Sequence, residues 1–202
     1  MKTPTRRIGR FRVATVMLGA VSLLALSAMP ADAYYTFNNH RINGGISDGR
    51  YFIDSTAGGA VDVAAITRAN DAWVASPTAF YFTRQTVDVH SKAVFHRNAG
   101  TSGLAGFCAR TYLYANGATI DPTLSNWSWG EVHIDPSNFT NAGTCGTQTD
   151  QHRGAIVAHE WGHLIGLAHN GSNSAVLMYT DIAGTGVAGP AADDVAGVNS
   201  LY

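Results

Sequence analysis

The sequence has little charge, few cysteines and only one long apolar run. Lysine, arginine, aspartate and glutamate make up 13% of its 202 residues, and the formal net charge is −1. Beyond residue 33 the basic side chains are scattered singly, whereas a surface that follows nucleic-acid phosphates needs them clustered. Nucleic acid is therefore not an expected partner.

The single apolar run lies near the amino terminus and predicts an export signal. Basic residues from Lys2 to Arg12 precede an apolar stretch over 13–28, and Ala31-Asp32-Ala33 offers a small-residue cleavage site. We expect 1–33 to be a signal peptide and 34–202 to be one secreted domain. A membrane anchor is the alternative, but the run is shorter than the roughly 20 residues that span a bilayer.

Removal of the signal would change the charge balance. It takes away five basic residues and one acidic residue, which leaves 8 and 13 and a net charge of −5. We expect the secreted protein to be a mildly acidic monomer with no membrane association.

Cysteine occurs only at Cys108 and Cys145. An exported chain meets an oxidising environment, which favours pairing of the two thiols. We predict a disulfide; two buried free thiols or a metal-binding pair are the alternatives.

Local patterns predict a mixture of strands and helices. Apolar residues at helical spacing predict one helix over 61–74 and another over 150–164. Segments rich in β-branched and aromatic residues predict strands over 50–54, 79–82, 93–95, 109–114 and 132–134. The pattern alone indicates an α+β domain.

The segment from His159 to His169 has the pattern HExxHxxGxxH. Residues four apart share a helix face, so His159 and His163 can both reach one zinc ion at about 2.0–2.1 Å. Gly166 can take the positive φ that ends a helix, which lets the chain turn back and bring His169 to the same ion. Three protein ligands leave a fourth position open, as catalytic zinc sites do.

Glu160 lies about 100° around the helix from His159, which favours a role as base over a role as ligand. We expect it to assist the attack of zinc-bound water on a carbonyl and then to protonate the leaving amine. The alternative is an amphipathic core helix whose histidines are hydrogen-bonded and bind no metal.

The extended motif followed by a methionine resembles the signature of metzincin metalloproteases. Leu177-Met178-Tyr179 is similar to their Met-turn, and 175–179 with 191–202 resembles the second half of a matrixin catalytic domain. The resemblance implies a twisted, mostly parallel five-stranded sheet packed on two helices, plus a C-terminal helix. It also implies one catalytic zinc ion, with Met178 packed beneath the three imidazoles.

A zinc metalloendopeptidase that cleaves proteins or peptides is the function that this resemblance implies. A zinc hydrolase of non-protein amides and a non-catalytic peptide- or zinc-binding protein are the alternatives. Glu160 disfavours the last, because a purely structural zinc site needs no such carboxylate. Thr180 stands where astacins have a tyrosine, and Thr180-Asp181-Ile182 replaces the Pro-x-Tyr wall of matrixins.

Several other polar residues invite a metal or anchoring role. His133 sits where matrixins have a structural-zinc histidine, with His90 and His96 as candidate partners, but we favour surface or hydrogen-bonded histidines. No EF-hand spacing is present, so we predict no calcium site; a second zinc or a calcium ion is the alternative. Asp193 and Asp194 resemble the acidic pair of matrixins that anchors the mature amino terminus, or they simply favour a helix start.

Overall fold

The structure is a computed structural model that describes residues 34–97, 106–135 and 149–202. The predicted signal peptide over 1–33 and the predicted disulfide partner Cys145 lie outside the described residues. Within the described ranges, none of the helices has the length and apolar character that crossing a membrane requires.

The described residues form six strands and three α-helices. Two short 3-10 helices, Ser55–Ala57 and Ile182–Gly184, lie between them. In chain order the main elements are β1 (Gly49–Ile53), α1 (Ala60–Val74), β2 (Phe82–Gln85), β3 (Ala93–Arg97), β4 (Ala109–Ala115), β5 (Ala118–Thr119), β6 (Trp129–Ile134), α2 (Asp150–Leu164) and α3 (Ala192–Leu201).

The strands form one mixed sheet in the order β2-β1-β3-β6-β4-β5. The pairs β1–β2, β1–β3 and β3–β6 are parallel, whereas β4 is antiparallel to both β6 and β5. The predicted α+β class with a mostly parallel sheet and a C-terminal helix is confirmed. The sheet has one strand more than expected, because Asn116 and Gly117, with φ of 53° and 79°, make a tight turn that adds the two-residue β5.

The second strand begins later than its apolar residues suggested. Tyr81, inside the predicted 79–82, donates its N–H to Ile46 O and accepts from Gly49 N, so it joins a loop to the start of β1. Phe80 and Phe82 are both buried and their rings stack 4.8 Å apart. Burial, and not strand pairing, therefore explains Phe80 at the start of this segment, whereas Tyr81 is 53% exposed.

Helix α2 packs on the sheet through Trp161, which stands inside the histidine motif. The Trp161 ring lies 4.9 Å from that of Phe82 and 5.2 Å from that of Phe95, between centroids. Trp73 of α1 donates its indole N–H to Ala158 O at 2.9 Å, which fixes α1 against α2. One side of α2 is thereby committed to the core.

The carboxyl end of α2 is held by two aromatic side chains. Trp127 donates its indole N–H to Leu164 O at 2.8 Å, and the Tyr202 hydroxyl donates to Ile165 O at 3.1 Å. These carbonyls have no partner within the helix, so the two bonds satisfy groups that would otherwise be costly to bury. The loop that carries the third histidine of the motif starts from this fixed point.

Candidate metal centre and active-site cleft

Helix α2 begins and ends where its sequence signals place it. The Thr149 hydroxyl accepts from His152 N at 3.2 Å and caps the first turn. After the helix ends at Leu164, Gly166 has φ of 109°, and Leu167 N donates to Gly162 O at 2.9 Å. A side chain at position 166 would meet Leu201 and the main chain of His40, so this reversal also depends on close packing.

The reversal brings the three predicted ligands together. His163 Nε2 lies 3.0 Å from His169 Nε2, which in turn lies 3.1 Å from His159 Nε2. Tetrahedral zinc with nitrogens at about 2.0–2.1 Å places those nitrogens about 3.3–3.4 Å from one another. The three rings thus have nearly the spacing of a metal-binding triad.

Main-chain carbonyls fix the orientation of two of these rings. His159 Nδ1 lies 2.8 Å from Leu177 O, and His163 Nδ1 lies 2.9 Å from Leu167 O. A carbonyl oxygen only accepts, so both Nδ1 atoms carry the proton and both Nε2 atoms carry a lone pair. His169 Nε2 has at most one proton and faces both lone pairs. A divalent cation among the three would resolve this conflict, and the donor set therefore fits zinc.

Burial favours the neutral form of each imidazole. It lowers the pKa of His163 to about 4 and that of His159 well below 6.5, and a charge on His163 would lower the pKa of His159 further. His169 is the most exposed of the three, yet burial also lowers its pKa. Neutral imidazoles are the form that binds a metal, so the site is ready for one at neutral pH.

Glu160 is buried beside the three histidines and contacts β4. The Thr111 hydroxyl oxygen lies 2.6 Å from Glu160 Oε2 and 3.0 Å from the Glu160 carbonyl oxygen. Burial raises the pKa of Glu160 to about 7, and the bond from Thr111 opposes that shift. The Glu160 carboxylate is not among the three ligand-type groups that converge in this part of the described chain.

The turn around Met178 supports the same centre from below. A Cβ built on Gly162 would overlap Met178 Sδ, so the thioether packs directly against α2 between two histidines. Asp194 of α3 accepts from Leu177 N at 2.8 Å, Met178 N at 3.1 Å and Ala191 N at 2.7 Å. This carboxylate ties the start of α3 to the turn whose carbonyl holds His159.

The histidines and Glu160 line a cleft of about 720 Å³. Residues 109–113 of β4 form one side, and 180–183 contribute to the lining as well. Ile156, one turn before His159 on α2, adds an apolar surface. The cleft therefore has polar side chains at its centre, an apolar side chain from α2 beside them, and β4 along one wall.

Comparison with protein families agrees with this geometry. The model of the matrixin family matches residues 61–202. The chain belongs to the matrixin family. A search of curated proteins found no match to it. At the level of the family, the chain is a zinc metallopeptidase that acts on proteins or peptides.

This matrixin departs from the familiar wall sequence at Thr180-Asp181-Ile182. All three residues line the cleft, and Ile182 opens the 3-10 helix Ile182–Gly184 with a side chain that is only 8% exposed. The segment that differs from the matrixin pattern therefore forms part of the wall of the cleft.

The matrixin has a second group of ligand-type side chains, on the sheet face opposite the helices. It comprises His96, Glu131 and His133, and it does not include His90. His133 Nε2 lies 2.8 Å from Glu131 Oε2, and Tyr114 donates its hydroxyl to the same oxygen at 2.9 Å. The contact of His133 is that of a hydrogen-bonded histidine, the interpretation that the sequence favoured, whereas His96 lies 3.8 Å from Asp54 and 3.9 Å from Glu131. A second zinc here stays an untested alternative.

The remaining predicted site residues are distributed as follows. Met178 and the three histidines come together, as does Glu160. Cys108 lines the cleft, whereas the predicted bond to Cys145 falls outside the described residues and stays a prediction. Asp193 meets the Asn170 amide at 3.1 Å.

The contacts made by two polar supports of the site, Thr111 and Asp194, could not be read from the sequence. Thr111 lies on a strand whose pattern shows nothing beyond alternation, so no local signal could have linked it to Glu160. The sequence places Asp194 in the first turn of α3. Its bonds to Leu177 and Met178, however, depend on how α3 packs. Both contacts join residues that are far apart in the chain.

Proposed function

We propose that this matrixin is a secreted zinc endopeptidase in which His159, His163 and His169 hold the metal and Glu160 is the general base. The observation that carries the proposal is the convergence of three imidazole Nε2 atoms in a cleft that a buried carboxylate also lines. A zinc ion bound there would polarise the scissile carbonyl. It would also lower the pKa of a bound water to near 7, so that hydroxide would be available to attack at neutral pH.

Glu160 would manage the protons of the reaction. It would take one from the attacking water as the new C–O bond forms, and would then deliver it to the departing amine as the peptide C–N bond breaks. A base works best when its pKa lies near the operating pH, and burial raises the pKa of Glu160 to about 7. This match supports the proposed role.

A peptide substrate would bind in extended form along β4. Asp135 N donates to Cys108 O, so the even-numbered residues of β4 direct their main-chain groups to β6. Alternation then directs the N–H and C=O of Ala109 and Thr111 to the opposite edge, and both residues line the cleft. Recognition of main-chain groups by an added strand does not require a chain end, which favours cleavage within a polypeptide.

Secretion is the second part of the proposal. It rests on the basic and apolar pattern of 1–33 and on the small residues at Ala31-Asp32-Ala33. Amino-terminal sequencing of protein recovered outside the producing cell should begin at Tyr34. A start at Met1 in that fraction would contradict cleavage.

The direct test of the proposed chemistry is Glu160→Gln, assayed on a diverse peptide library by mass spectrometry of the products. We expect turnover to fall by about 10²- to 10⁴-fold, since a general base is removed, while the zinc content stays that of the parent. Chelation should abolish cleavage by the parent, and added zinc should restore it.

Glu131→Gln is the matched control, because Glu131 and Glu160 are the two glutamates of the chain. Glu131 lies on the opposite face of the sheet, so its amide variant should cleave at the rate of the parent. Activity of Glu160→Gln within about tenfold of the parent would overturn the assignment of the base. Cleavage of small amides alone, with no peptide cut, would instead favour a non-protein substrate.

A further inference from the structure

The side chain of Thr111 connects β4 to the carboxylate of Glu160. Its hydroxyl oxygen is 2.6 Å from Glu160 Oε2, which is within the range of short hydrogen bonds to a charged acceptor. The same oxygen is 3.0 Å from the Glu160 carbonyl oxygen. A threonine hydroxyl has one proton to donate, and the shorter contact assigns it to the carboxylate.

This bond distinguishes the two oxygens of the carboxylate. Oε2 is occupied as an acceptor, whereas Oε1 has no hydrogen-bond partner among the residues that the structure describes. Glu160 lines the cleft and is 7% exposed. A proton taken from a water in the cleft would therefore be carried on Oε1, with the carboxylate plane fixed through Oε2.

Thr111 also belongs to the part of β4 along which a peptide would bind. Its main-chain N–H and C=O lie on the edge of β4 that faces away from β6, while its side chain points to α2. One residue thus links the strand that would align the substrate to the group that would move the proton. Correct alignment of reacting groups is worth large factors in rate.

We propose that Thr111 is a positioning residue that sets the orientation of the Glu160 carboxylate relative to a peptide bound along β4. The proposal rests on the proposed role of Glu160 as base. Thr111 itself contacts neither the metal ligands nor the proton that is transferred. It acts through the carboxylate of Glu160.

The test compares Thr111→Val, which keeps the shape and removes the hydroxyl, with Thr111→Ser, which keeps the hydroxyl. Thr111→Val should lower kcat by about 10- to 100-fold, the usual effect of losing a hydrogen bond to a charged group, with KM within about threefold of the parent. Thr111→Ser should recover kcat to within about threefold of the parent. The zinc content of both variants should equal that of the parent.

Thr83→Val is the matched control, since it makes the same chemical change on β2, away from the cleft. It should leave kcat and KM unchanged. In a Glu160→Gln background, Thr111→Val should cause no further loss beyond about twofold, because the carboxylate that it positions is gone. If Thr111→Val fails to fold, Thr111→Ala replaces it in the same comparison with Thr111→Ser.

Two outcomes would overturn the proposal. One is a kcat of Thr111→Val within twofold of the parent while Glu160→Gln is inactive, which would leave Glu160 as base without help from Thr111. The other is an equal loss in the serine and non-hydroxyl variants, which would indicate a packing role. Activity retained in Glu160→Gln would mark failure of the proposed function itself, independently of Thr111.

Discussion

The histidines of the centre are held by contacts that also determine how the protein responds to acid. His159 and His163 each donate Nδ1–H to a main-chain carbonyl, and His159 is buried while His163 is partly buried. The same burial that keeps them neutral and able to bind a metal makes their protonation in the folded state unfavourable. Metal-binding capacity and acid sensitivity therefore have one cause.

Metal-free protein should accordingly lose stability as the pH falls from 6.5 towards 4. Burial lowers the pKa of His163 to about 4 in the folded state, from 6.5 in the unfolded chain. Within that window the unfolded chain binds a proton that folded His163 does not, so acid favours unfolding. Thermal denaturation in the presence of a chelator, repeated across the window, measures the effect.

His163→Asn should flatten that pH dependence, whereas His90→Asn should leave it as in the parent, because the His90 side chain is exposed. Burial also raises the pKa of Glu160 to about 7, so folded Glu160 binds a proton in part of this window and opposes the loss. A pH dependence of the melting temperature that is the same in His163→Asn and in the parent would therefore contradict the role of His163.

At the scale of elements, α3 supports the metal centre without contributing a ligand. Asp194 in its first turn binds the N–H groups of Leu177 and Met178, and Leu177 O holds His159 Nδ1. The support therefore passes from α3 through the Met178 turn to a ring of α2. Partners of this kind orient a ligand and tune its affinity for the metal.

Asp194→Asn should destabilise the protein by about 2–3 kcal/mol and weaken zinc binding by about 10- to 100-fold. An amide cannot accept all three N–H groups that the carboxylate accepts, and one of its own hydrogens would face a donor. Urea denaturation and a competitive zinc titration measure the two effects. Asp193→Asn should cost less in both assays; equal losses in the two variants would contradict the specific role of Asp194.

The elements that the sequence predicted best are those with strong local signals. Helix α2 was expected over 150–164 and spans Asp150–Leu164, because Thr149 caps its start and Gly166 ends it with a positive φ. The hairpin that forms β5 also has a local signal, because Asn116-Gly117 is a pair that favours a tight turn between two strands. The start of β2 has no such local signal. Phe80 is buried in the core but lies before the first residue of the strand, Phe82.

Across the whole molecule, the sequence predicted the residues of the centre but not the supports between distant elements. The convergence of His159, His163 and His169 beside Glu160 could be inferred because helical periodicity and one glycine turn relate these residues within eleven positions. The contacts of Thr111 with Glu160, and of Asp194 with Leu177, join positions 49 and 17 residues apart. Such contacts exist only after the sheet, α2 and α3 have packed together.

The proposed function requires one metal ion, held by three imidazoles, for peptide hydrolysis by this matrixin. The most direct measurement is the rate of peptide hydrolysis by chelated protein as zinc is added back in known amounts. We expect no cleavage without metal, a linear rise in rate with added zinc, and a plateau at one equivalent per chain. Cleavage by fully metal-free protein, or no cleavage at any zinc occupancy, would contradict it.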